Sequence, residues 1–172
     1  MKKLVLLCLL FLSACTSVPS GVKPVDDFEL AKYLGTWHEI ARLDHSFERG
    51  LSNVTATYKM NSDGGVQVIN RGFSDANKAW KEAEGKAYFV DSNDIGHLKV
   101  SFFGPFYGAY VIFELDRADY QYAFITSYNR DYLWFLSRTP QVSEALKQQF
   151  IAQVKQMGFA VDQIIWVDQQ DQ

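Results

Sequence analysis

The chain has 172 residues, enough for one sizeable core, and 48% of them are hydrophobic and 15% aromatic. Its 17 Lys and Arg stand against 20 Asp and Glu, a net charge of −3 with no basic block, which argues against a nucleic-acid-binding surface. The 13 Phe, 9 Tyr and 4 Trp favour strands.

Lys2 and Lys3 form a charged start, and Leu4 to Leu12 an apolar run too short to span a bilayer. Residues 1–14 therefore read as a secretory signal. The run ends in Leu12-Ser13-Ala14-Cys15, which resembles the lipobox of bacterial lipoproteins, with Cys15 as the lipidation site. Residue 16 is Thr, not Asp. By resemblance to lipoprotein sorting in two-membrane bacteria, that implies the outer membrane, with the domain facing the periplasm. Acyl chains on Cys15 would anchor it, at about 0.8 kcal/mol per buried methylene. The other cysteine, Cys8, leaves with the signal, so the mature chain has no thiol for a disulfide, catalysis or metal binding. Residues 15–27, with Ser17, Pro19, Ser20, Gly21 and Pro24, read as a lipidated tether.

Short strand-like runs follow at turn-marked intervals. Gly35 to Leu43 is the first. Asn53 to Tyr58 alternates with period two and ends at Asn61-Ser62-Asp63-Gly64-Gly65, a hairpin signal before Val66 to Asn70. Trp80 to Val90 comes next, with Ala83, Gly85, Ala87 and Phe89 on one face. Leu98, Val100 and Phe102 then alternate with Lys99 and Ser101, and Gly104-Pro105 breaks that strand. Tyr107 to Leu115, Tyr120 to Ser127 and Tyr132 to Arg138 complete about eight strands. All are compatible with an antiparallel meander closed into a barrel. One helix follows. Thr139 and Pro140 suit its start, Val142, Leu146, Phe150 and Val154 form its apolar stripe, and Gly158 ends it. Ile164 to Val167 is a last short run.

Tyr132 to Arg138 is apolar on both parities, so both faces should be buried. Trp134 and Leu136 are assigned to the interior, with Arg138 on the same parity, and Leu133 and Phe135 to the helix. If the first and last strands meet, Arg138 lies over the Trp37 indole and the pair plugs one end. Such a contact is worth roughly 0.5–2 kcal/mol.

Gly35-Thr36-Trp37 resembles the Gly-X-Trp signature of lipocalins. Asp131-Tyr132 resembles the end of their Thr-Asp-Tyr motif, and Arg138 the arginine of their last barrel strand. Phe47-Glu48-Arg49-Gly50, Lys99 to Gly108 and Asp131 to Trp134 add to a resemblance to the bacterial outer-membrane members. It implies an eight-stranded antiparallel up-and-down barrel over residues 28–168, with one C-terminal flanking helix, a short final strand and a tail at 169–172. Asn129 and Arg130 stand where the family prefers Thr, and the disulfide of secreted relatives is absent.

Strand parity proposes a ligand-binding lining of Val54, Ala56, Val68, Ala83, Ala87, Leu98, Val100, Phe102, Tyr110, Ile112, Trp134 and Leu136, with Tyr107 as a polar candidate beside Glu39, Arg42, Asn70 and Arg71. The alanines and Gly85 would leave space. Each of the polar candidates also reads as solvated surface. The resemblance implies fatty acids or lysophospholipids as ligands, for lipid storage or transport at the envelope. The competing reading is a filled barrel that binds a protein partner. Phe103, Phe106 and Tyr107 suit either a homodimer face or the barrel rim. His38 points opposite to Trp37, outward. His45, with Asp44 and Glu48, reads as a solvated loop rather than a catalytic or metal cluster. No nucleophile elbow, phosphate loop or zinc spacing occurs, so neither an enzyme nor a cofactor is expected.

Overall fold

The computed structural model describes residues 16–170. Helix α1 (Leu30–Tyr33) leads into β1 (Gly35–Arg42), β2 (Leu51–Met60), β3 (Val66–Ser74), β4 (Ala79–Phe89), β5 (His97–Phe103), β6 (Phe106–Leu115), β7 (Tyr122–Thr126) and β8 (Leu133–Ser137). Then come α2 (Glu144–Gln156) and β9 (Ile165–Trp166). Strands β1 to β8 pair antiparallel with their sequence neighbours. Because β1 pairs with both β2 and β8, the sheet closes into the expected eight-stranded up-and-down barrel.

The alternation of side chains divides the core into two layers. One fills the barrel interior and includes Trp37, Ala56, Tyr58, Val68 and Leu136. The other lies between the outer wall and α2. There Phe150 meets Phe124 and Phe135 at ring-centroid distances of 4.8 and 5.0 Å. Leu133 and Phe135 face this layer, as their parity predicts. Each side chain of this size buried there contributes roughly 1.5–3 kcal/mol.

Helix α2 starts at Glu144, not at Pro140. Ser143 is its N-cap, accepting the Leu146 N–H at 3.2 Å, while the Thr139 hydroxyl donates to the Gln141 carbonyl in a preceding turn.

Residues 16–27 are not a free tether. Val22, Val25 and Phe28 are buried, because the barrel wall offers apolar grooves that these side chains fill. Val25 donates its N–H to Ile112 and accepts from Gly96, each at 2.8 Å. A Cβ on Gly96 would stand 2.6 Å from Val25 Cγ2, so only glycine admits the strap there. His97 Nε2 lies 2.9 Å from the Thr16 carbonyl, and Arg130 donates to the carbonyls of Ser20 and Met157. The signal at 1–14 and the lipidation site Cys15 lie outside the described residues.

Of the expected tail, Gln169 and Gln170 belong to the fold, and residues 171–172 lie outside the described residues. Strand β1 pairs with β2 only over Gly35 to His38, and β9 takes its edge at Ala41 and Arg42. The Gln169 side chain then spans the seam, donating to the Glu39 and Val54 carbonyls at 2.8 Å. Those carbonyls have lost their ladder partners, and the amide replaces them.

Candidate binding cavity

The cavity begins above a plugged end. Trp37 is fully buried, and its indole N–H donates to the Tyr33 carbonyl at 2.8 Å. The Arg138 guanidinium carbon sits 3.8 Å from the centre of the indole ring. Its N–H groups also donate to the carbonyls of Lys32, Tyr33, Leu34 and Thr36. Burial lowers the Arg138 pKa. Gly35 belongs to the plug because its φ is +97° and a Cβ there would lie 3.4 Å from Arg138 Nη1.

Above the plug, Tyr110 shares 2.7 Å hydroxyl contacts with both Tyr33 and Tyr58. Burial pushes all three phenols upward, so they are neutral hydrogen-bonding groups. Phe28, Leu30, Tyr33 and Tyr58 form the lower lining of a cavity of about 240 Å³. The signal for Tyr58 was present in sequence, since it shares the parity of Val54 and Ala56. Phe28, Leu30 and Tyr33 precede the first strand, where parity says nothing.

Ten of the residues proposed as lining do border this space: Val54, Ala56, Val68, Ala87, Leu98, Val100, Phe102, Tyr110, Trp134 and Leu136. Ala83 does not. It shares the inward parity, but β5 pairs with β4 only from Lys86 to Phe89, so Ala83 is exposed beyond the enclosed stretch. Ile112 is fully buried in the interior layer yet packs against Gly96, away from the cavity. Tyr107 lies on the outer wall with Tyr88 and Lys99, because Gly108 and Tyr110 take the inward positions. Gly85 leaves no space either: a Cβ there would meet the Ser101 carbonyl at 2.7 Å and the Phe102 ring at 2.8 Å.

The open end holds a buried polar cluster that the surface reading missed. Glu39, Arg42, His45 and Glu48 are all at most 7% exposed. Two features put them there. The register shift between Glu39 and Ala41 lets Glu39 and Arg42 both face inward. The loop after β1 then folds over the barrel, stacking His45 on Phe47 with ring centroids 4.0 Å apart. Arg42 donates to Glu39 Oε1 at 2.7 Å, to the Glu48 carbonyl at 2.9 Å and to the Leu51 carbonyl at 3.3 Å. Trp134 Nε1 donates to Glu48 Oε2 at 3.1 Å. His45 Nε2 makes an ion-pair contact with the same oxygen at 3.0 Å, off hydrogen-bond geometry, and neither ring nitrogen has a hydrogen-bond partner among the described residues. Burial, reinforced by the Glu48 charge, raises the Glu39 pKa well above the carboxylate range. Of the other polar candidates, Asn70 lines the cavity, whereas Arg71 stacks on Trp80 outside, 3.8 Å from the ring centre. Phe103 and Phe106 stand exposed at the tip of the β5–β6 hairpin.

Residues 28–169 match the family model described as a lipocalin-like domain. The chain is 58% identical over 165 residues to the outer membrane lipoprotein Blc of Vibrio cholerae, covering 96% of each. It is 51% identical over 158 residues to the Escherichia coli protein of the same name, covering 91% of this chain and 89% of that one. Among solved structures it resembles insecticyanin from the tobacco hornworm, with a TM-score of 0.69 and 21% identity over 90% of this chain and 88% of that one.

Proposed function

The chain belongs to the lipocalin family, and on that premise we propose that its barrel holds one lipid-like amphiphile, a fatty acid or lysophospholipid, for storage or transfer at the outer membrane. It is an outer-membrane lipoprotein and a binding protein rather than an enzyme. The enclosed apolar cavity carries the ligand reading. Side chains of the right parity leave about 240 Å³ open instead of meeting across the barrel. Good interior packing leaves few voids larger than a water, so an open interior supports a ligand site over a filled barrel. The chain of the ligand would lie against Val54, Val68, Leu98 and Val100, with its head group toward the polar cluster at the open end. Cys15 would carry the lipid anchor.

Native mass spectra of a soluble form beginning at Thr16, purified without detergent, test the reading. A discrete added mass that leaves as a fatty acid or lysophospholipid supports it. An apo mass unchanged by added lipids turns attention to a filled barrel and a protein partner. Cys15→Ser should release the full chain from membranes without changing its unfolding midpoint; continued membrane association would remove Cys15 as the main attachment.

A further inference from the structure

The strap decides where the lipid anchor leaves the barrel. The Thr16 carbonyl lies 2.9 Å from His97 Nε2, and Cys15 is the residue before it. No free chain separates the lipidated residue from the fold, so the wall around His97 is held at the bilayer surface. His97 starts the outward row of β5, and Lys99 follows on the same face. Tyr88 of β4 stands opposite Lys99. The Lys99 ammonium lies 5.4 Å from the ring centre of Tyr107 on β6, and the two tyrosine rings are 6.4 Å apart. Lys86 is exposed on this face, two residues nearer the tip of the β5–β6 hairpin. At that tip Phe103 and Phe106 are 80% and 76% exposed, about 20 Å along the strand from His97. The acids bordering the wall are engaged. Asp63 accepts from the Tyr88 hydroxyl, Glu84 from Gln67, and Asp91 faces His97. Among the described residues neither Lys86 nor Lys99 is in an ion pair.

We propose that the β4–β6 wall is a membrane-docking face, on which the barrel lies against the bilayer that holds its anchor. This rests on the reading of Cys15 as the lipidated residue and is independent of the cargo. The order of chemistry from anchor to tip fits a lipid surface. Tyrosines favour the head-group level, unpaired lysines reach lipid phosphates, and the two phenylalanines enter the acyl boundary. A second copy of the chain on this face would set one lysine row against another across a twofold axis, whereas anionic head groups neutralise both. Docking also has a use. Phe102 and Gly108, within two residues of the tip phenylalanines, line the cavity, so the docked tip sets the cavity mouth at the bilayer surface.

The test uses the lipidated full chain in vesicles of phosphatidylethanolamine with a minor fraction of phosphatidylglycerol and a lipid spin-labelled near its head group. With Cys8 removed and Cys15 acylated, a single introduced cysteine takes a nitrobenzoxadiazole label uniquely. One label goes at Gly104→Cys on the tip, where a Cβ meets nothing within 4 Å. The other goes at Gln148→Cys, exposed on α2, which covers the β7–β8 wall instead. The tip label should be quenched several-fold more than the helix label. Lys86→Gln and Lys99→Gln should each weaken docking about fivefold at low salt, bringing the two labels toward equal quenching without moving the unfolding midpoint. Phe106→Ser should act in the same direction. Equal quenching in the parent, or stronger quenching at Gln148→Cys, overturns the docking face while leaving the anchor intact. An unquenched tip label in a dimer that Phe106→Ser splits assigns the tip to a second copy and overturns it as well. A full chain that does not float with the vesicles overturns the Cys15 reading itself, and the docking face with it.

Discussion

Two arginines sit at opposite ends of the same barrel, and the chain partners them differently. Arg138 is held by an indole face and by carbonyls from the turn before β1. Among the described residues none of its hydrogen-bond partners is a carboxylate. Arg42 is held by Glu39 and lies beside a second carboxylate, Glu48. The first arrangement spreads one charge over neutral dipoles and makes a plug. The second sets two carboxyl groups against one guanidinium beside open space. Substitution at the closed end should therefore cost packing, whereas substitution at the open end should cost charge balance and depend on pH.

The largest effect is expected at the closed end. Trp37→Ala removes a fully buried indole and should lower stability by about 3–5 kcal/mol, read from urea unfolding. A midpoint close to that of the parent would sink the plug. Arg42→Met removes the only cation hydrogen-bonded to Glu39 among the described residues and leaves the buried Glu48 charge beside it, and should cost about 3–5 kcal/mol at neutral pH, with part of the loss recovered when Glu39→Gln is added. Strict additivity of the two substitutions would contradict the ion pair. Arg138→Lys keeps the charge but cannot lie flat on the indole or reach all five carbonyls, and should cost about 1–2 kcal/mol with little pH dependence. The smallest effect is a slope. The folded pKa of Glu39 lies above its unfolded value, so the folded state holds the extra proton. Its contribution is complete below the ordinary carboxylate range and is lost as pH rises through the folded value. The parent should therefore lose stability relative to Glu39→Gln on going from acid toward neutral pH. Parallel pH profiles would show that Glu39 is not protonated in the fold.

Much of the fold was legible because it rests on local periodicity. Alternation gave the strands and their inward faces, and it placed Trp134 and Leu136 inside and Leu133 and Phe135 under the helix. It misplaced Tyr107 because parity was not carried through from Tyr110, and it included Ala83 because parity carries no information about how far a neighbouring strand extends. The polar cluster was hidden for a different reason. A one-residue register shift in β1 and a folded-over loop turn Glu39, Arg42, His45 and Glu48 from apparent surface into interior.

By itself the sequence determined a lipoprotein-like start, a closed meander, a flanking helix and an arginine able to meet Trp37. These follow from residue type at short range. The strap over 16–27, the seam bridged by Gln169, the open volume and the buried carboxylates were decided only by the tertiary structure. Each depends on segments distant in the chain meeting at one place, and on whether polar atoms find partners there, which no local pattern encodes.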